Sequence, residues 1–264
     1  MSPLSHPLRG PRVRRGFTIV EMLAVIGVIT VLLAIVVPTI STARLAARNT
    51  ADLSQMRQLG VAHIAYQAIN ADRFVDVGLP HGGYGDEARS FAEVLKPYCD
   101  DIVMKSPLDD SPHWPSDLGG EGRGVTEDGS GPLRRTSYGM NNYLSRHYSP
   151  SVALLGPGHA ADRAQKVRFP DRIVCFLHMS RSGDYAVSDH PHVENWSFGP
   201  EAFRLASQQV AIDAAEGSPL VDPLAQSNFA FVDGSIGTRR FEEVYESVER
   251  NAFDPDLEPA PSAG

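Results

Sequence analysis

The chain has 264 residues, 42% hydrophobic and 21% charged, with a formal charge of −8. That is room for one medium domain plus further segments, and 23 Gly with 20 Pro favour β-rich or irregular structure over a helix bundle. Four arginines and no acid fall in residues 1–16, leaving 20 basic and 32 acidic residues beyond them. An acidic body with no basic stripe argues against nucleic acid as a partner, because neutralising phosphates takes clustered Lys and Arg.

Residues 1–16 form a basic leader carrying Arg9, Arg12, Arg14 and Arg15. Residues 17–37 follow as a 21-residue apolar run with one charge, Glu21. As a helix such a run spans roughly 32 Å, enough for a hydrocarbon core of about 30 Å. The arginines before it place the N-terminus in the cytoplasm and the rest of the chain outside. A cleaved secretory signal would have a shorter apolar region, even though Ser41-Thr42-Ala43 could pass as its cut site. A plain uncleaved anchor accounts for the length but not for Glu21, since an acid in a membrane helix costs a few kcal/mol, roughly, and needs a partner.

Glu21 stands four residues after Phe17, which follows Gly16, with Arg14-Arg15 just upstream. This pattern resembles the processing signal of type IV pilins and type II secretion pseudopilins. Pro38 also falls where pilins carry a proline. The resemblance implies cleavage between Gly16 and Phe17 by a prepilin peptidase, N-methylation of Phe17, and pairing of Glu21 with the Phe17 ammonium of a neighbouring subunit during assembly. It implies an inner-membrane, single-pass protein whose C-terminal domain is periplasmic or on the cell surface.

Pro38 removes one helical hydrogen bond and should kink or locally unwind the helix. Residues 39–74 read as its amphipathic continuation, with Leu45, Leu53, Met56, Gly60, Ile64 and Ala68 on the inward line and Arg44, Arg48, Asp52 and Arg57 off it. His63 and Tyr66 read as interface or surface groups. Residues 75–251 make the extracytoplasmic α+β domain. Within it, 75–88 is a Gly-rich loop whose G-x-G-x-x-A match lacks a preceding strand, so it is no nucleotide fingerprint. Residues 89–98 suggest a short helix, 105–135 an exposed and poorly ordered excursion, and 136–144 a strand or turn. Residues 172–179 suggest an apolar strand, 200–210 a helix, and 227–241 a hairpin about Asp233-Gly234. The tail 252–264 reads as acidic and disordered.

Ser106-Pro107-Leu108-Asp109, Ser137-Tyr138-Gly139-Met140-Asn141-Asn142 and Phe229-Ala230-Phe231-Val232-Asp233-Gly234 resemble a pilin-like branch common in planctomycetes and marked by a His-x9-Asp-Gly motif. The motif histidine is absent, since Pro223 stands there, and Ser106 replaces a frequent Cys. The fold implied is pilin-like: a long N-terminal helix, transmembrane in its first half, packed on a small antiparallel sheet with long irregular loops. The function implied is that of a structural subunit and not an enzyme.

No P-loop, H-E-x-x-H or G-x-S-x-G pattern is present. Asp189-His190-Pro191-His192 could set two imidazoles beside a carboxylate, as a metal site or a polar loop; with acids in one cleft it would mark a membrane-anchored hydrolase. Asp100, Asp101, Asp109, Asp110 and Asp117 could serve calcium, although no EF-hand spacing is present and no cofactor is expected. Cys99 and Cys175 could pair if exported, or stay separate thiols with Cys175 in a buried strand. An alternative function is a membrane-anchored glycan- or surface-binding domain that presents Trp114 and Trp196 on exposed loops.

Overall fold

The computed structural model describes residues 17–79, 81, 87–99, 104–198, 201–217 and 219–259. The chain divides into two compact units, residues 1–44 and residues 45–264. One helix, α1 (Ile19–Ile69, 51 residues), contributes to both, and it continues through Pro38.

In the first unit every described residue from 17 to 44 is exposed, including Phe17, Ile29, Leu33 and Ile40. The helix here is long and apolar enough to cross a membrane. Its few hydroxyls turn inward on the backbone: Thr30 donates to Ile26 O and Gly27 O, Thr39 to Ile35 O and Val36 O, and Ser41 and Thr42 to Pro38 O. Such side chains need no water or partner helix to satisfy them.

The second unit is built on an antiparallel sheet in the order β1 (Tyr138–Met140), β2 (Val174–His178), β3 (Gln226–Phe231) and β4 (Ile236–Arg240). Short helices α2 (Phe91–Val94), α3 (Pro150–Leu155), α4 (Ala202–Gln209) and α5 (Phe241–Val244) and a small ribbon of β5 (Tyr245–Ser247) with β6 (Arg250–Asn251) surround it. The architecture is α+β, a long helix with a small antiparallel sheet and loops. The hairpin forms as its sequence suggests, with Gly234 at φ +86° closing the turn and Asp233 Oδ1 accepting from the Ser235 N–H and hydroxyl.

The sheet is covered on both faces. On one side Met56 and Leu59 of α1 meet Phe74, Phe91, Tyr138, Met140, Cys175, Phe176 and Ala230. On the other, Val174, Leu177, Phe229 and Phe231 meet Trp196, Ala206, Phe241, Tyr245 and Phe253. A bulge in β2 between Val174 and Phe176 turns Cys175 and Phe176 toward the same side, so the period-two rule breaks there. Gly139 in β1 is forced by close approach, because a Cβ there would sit 2.1 Å from Met179 Sδ.

Several sequence expectations need correction. The helix ends at Ile69, short of residue 74, where Ala71 and Asp72 take left-handed φ of +56° and +57°. Its inward face is Asp52, Met56, Leu59, Ala62 and His63, while Ile64 and Ala68 are exposed. The 105–135 segment is folded, with Trp114 and Arg134 among the largest fully buried side chains. The segment from residue 252 onward begins in the core, against the expectation of disorder: Ala252 and Phe253 are buried, the Ala252 carbonyl accepts the Val174 N–H, and the Ala252 N–H donates to Val244 O. Trp114 and Trp196 are both buried, their indole N–H groups donating to Asp109 Oδ2 and Gln209 Oε1. Neither ring offers a face for sugar stacking. Cys99 and Cys175 are not joined to each other in a disulfide, and Cys175 is buried. The leader, Gly16, the G-x-G-x-x-A glycines, Asp100, Asp101 and residues 260–264 lie outside the described residues.

Candidate functional site

Phe17 and Glu21 open the apolar helix. Thr18 precedes its first turn and is joined to Glu21 by three hydrogen bonds. The Thr18 hydroxyl accepts the Glu21 N–H at 3.2 Å, and Glu21 Oε2 accepts the Thr18 N–H at 2.8 Å and its hydroxyl at 2.9 Å. This is a reciprocal capping box, satisfying donors that a helix start leaves without partners. The Thr-x-x-Glu spacing was visible in the sequence, where Glu21 was weighed only as a charge in need of a counter-charge. Phe17 is 79% exposed.

The outer half of α1 meets the sheet through a carboxylate. Asp52 has no exposed surface and accepts from three adjacent strands: Tyr138 Oη of β1 at 2.8 Å, His178 Nε2 of β2 at 2.9 Å and Asn228 Nδ2 of β3 at 2.7 Å. Ser106 Oγ adds a fourth bond at 2.5 Å, and Thr238 of β4 steadies Asn228 by donating to its Oδ1. Burial pushes the Asp52 carboxyl up, but His178, Ser106 and Asn228 outweigh it and hold it at about 2. Asp52 was read as lying off the inward line; the spacing 52, 56, 59, 63 puts it on that line.

The segments that resemble the His-x9-Asp-Gly branch are built into this frame. Ser137 Oγ donates to Asp109 Oδ2 and accepts the Ser106 N–H. Asp109 also pairs with the buried Arg134 at 2.7 Å, so its oxygens are engaged. Arg134 in turn donates to the carbonyls of Met179, Ser180 and Ala186. Asn141 donates to Val174 O and Phe253 O, fixing the edge of the sheet to the C-terminal segment. These polar residues hold the fold together, and none of them faces an open cleft with a free functional group.

His63 is buried in the core, not at the surface. Its Nε2 accepts the Val75 N–H at 3.1 Å, and Cys175 Sγ lies 3.6 Å from Nδ1. Burial pushes its pKa down to about 3, so the ring is neutral. Tyr66 is half-buried against Tyr98.

Asp189, His190 and His192 are brought together and largely buried. Asp189 accepts the N–H groups of Gly78 and Leu79, and His190 Nδ1 lies 2.9 Å from Asp189 Oδ1. His192 Nδ1 lies 3.0 Å from Glu194 Oε1, whose other oxygen takes the Asn142 amide at 2.7 Å. The His190 and His192 ring centres are 5.2 Å apart, and His81 stands 5.8 Å from His192. Among the described residues no group of three or more His, Cys, Asp or Glu side chains is placed to hold a metal ion. Asp110 and Asp117 are exposed and do not join Asp109 in one.

Among these features the N-terminal one has a counterpart in known proteins. Residues 11–37 match the family model of the prokaryotic N-terminal methylation motif. No curated protein and no solved structure matches the chain. The methylation motif takes in Gly16, Phe17, Glu21 and the apolar run up to Val37, and leaves the domain beyond it undescribed. Followed by the long apolar helix, it makes the chain pilin-like at its N-terminus. A methylation motif of this kind implies processing by a prepilin peptidase and assembly with pilin-like subunits in general.

Proposed function

We propose that this protein is a structural subunit, cut between Gly16 and Phe17, methylated on the new Phe17 amine and assembled into a type II secretion pseudopilus or a type IV pilus-like filament. The observation that carries the reading is the methylation motif running directly into a helix whose first half is exposed and apolar and whose second half is the spine of a folded domain. In this reading the protein starts in the inner membrane, with its leader in the cytoplasm and its domain in the periplasm or on the surface. It is the substrate of a processing enzyme and has no enzymatic role of its own.

Glu21 then has two successive duties. Before assembly the capping box satisfies it within its own chain. In the filament the Phe17 ammonium of a neighbour pairs with it, which offsets the cost of a carboxylate among lipid-like side chains and fixes register. The outer half of α1 adds support, since Val61, Ile64, Ala65, Ala68 and Ile69 form an exposed apolar stripe on the side away from the sheet. A second copy of the chain is the partner this stripe suits.

Mass analysis of the protein from its native membrane tests the reading. The expected product starts at N-methylated Phe17 and is lost in Gly16→Ala. A chain beginning at Met1, or just after Ala43, would overturn it. Glu21→Gln separates the two duties, because an amide keeps an acceptor for the cap and loses the charge: processing should persist and filament incorporation should fail.

A further inference from the structure

We propose that the cavity between α2 and the 104–135 segment binds a small amphipathic organic acid, one carboxylate carried on a compact apolar body, with Lys105 as its counter-charge. The cavity has a volume of about 410 Å³, within the range of small-molecule sites. Ala92, Met104, Pro115, Leu118 and Leu133 give it an apolar wall. Such a wall takes the body of a ligand, and a few polar groups then fix its head.

The charge in the lining is opposite in sign to that of the chain. The sequence holds three lysines, Lys96, Lys105 and Lys166, and the first two line this cavity although the chain carries −8. The acid in the lining is Glu93, which pairs with Lys96 one turn away on the surface. A pair so exposed is worth little, so Lys96 still attracts an anion. Arg134 lines the cavity too, but Asp109 matches its charge and three carbonyls take its N–H groups. Lys105 is different. Its ammonium donates to Leu118 O and stands 5.4 Å from the centre of the Trp114 ring, and among the described residues no carboxylate pairs with it. An ammonium has three N–H donors, so Lys105 keeps two for an acceptor from outside the chain. A half-buried cation beside an apolar wall gains most from an anion that brings its own apolar surface. A bare anion such as phosphate would leave the wall uncovered and several oxygens without donors.

The site does not depend on the filament reading. The test titrates the full chain, in dodecyl maltoside with matched micelle blanks, with sodium naphthalene-2-carboxylate by calorimetry. Naphthalene-2-carboxamide serves as the uncharged equivalent and inorganic phosphate as the anion without an apolar body. One saturable equivalent of the carboxylate is expected, with the carboxamide roughly tenfold weaker or more and no saturable binding of phosphate. Lys105→Gln should weaken the carboxylate roughly tenfold, Lys96→Gln should weaken it less, and Lys166→Gln should leave it unchanged. Thermal melts check that each variant is folded, and the carboxamide comparison reads the role of charge in the unaltered chain. No saturable binding of the carboxylate, equal affinity for the carboxamide or for phosphate, or unchanged binding in folded Lys105→Gln would overturn the proposal.

Discussion

Asp52 illustrates how one side chain can be more costly to lose than any apolar neighbour. Its four donors come from β1, β2, β3 and the Ser106 loop. Truncation would strand all of them away from water, so Asp52→Ala should destabilise the domain by roughly 3–5 kcal/mol, read by urea unfolding. The carboxyl also ties stability to pH. Its folded pKa of about 2 lies below the ordinary 3.8, so its contribution is present above pH 3.8 and lost as pH falls through 2. His63 acts earlier on the same scale. Its folded pKa is about 3 against an ordinary 6.5, so the unfolded chain takes up a proton first. Stability should begin to fall below pH 6.5 and continue falling toward pH 3, and His63→Gln should flatten that slope in melts taken across the range. A slope unchanged by His63→Gln would place the proton uptake elsewhere.

The elements show which patterns carry information. The hairpin, the β2 strand, the α4 helix and the long α1 follow from periodicity and turn chemistry, because each is a local preference that the rest of the fold leaves alone. The inward face of α1 was misjudged for a physical reason. An acid on a helix is ordinarily solvated, and only the set of donors gathered from residues 106, 138, 178 and 228 makes Asp52 an inside residue. The 105–135 segment misled in the same way: its Gly, Pro and Asp density describes a chain without regular structure, yet Asp109, Trp114 and Arg134 bury it by side-chain bonding. The carboxylate supports of His190 and His192 come from neighbouring positions, so their presence was legible, whereas their burial depends on the distant Gly78, Leu79 and Asn142. In β1, Gly139→Ala should cost about 1–3 kcal/mol, since the new methyl overlaps Met179 and a core strand has little room to shift. A melting temperature equal to that of the parent would show that Met179 can move aside.

At the scale of the whole molecule, one helix, α1, contributes residues to both units. A chain starting at residue 45 retains Asn49, Asp52, Met56 and Leu59 and should be water-soluble with a cooperative melt. One starting at residue 58 lacks Asp52 and Met56 and should not give such a melt, because the α1 face of the sheet would be stripped of its buried carboxylate and part of its cover. Circular dichroism of the two fragments checks this, and a cooperative melt from the shorter one would show that the sheet stands without the spine. The placement of Asp52 has a mechanical consequence. Tension applied to the outer part of α1 from residue 45 onward reaches Asn49 and Asp52 about one turn later, and there it meets bonds to three neighbouring strands side by side. Bonds that share a load in parallel fail together and at higher force than bonds that open one after another, so the helix should resist being drawn off the sheet more strongly than the sheet's own edge resists peeling.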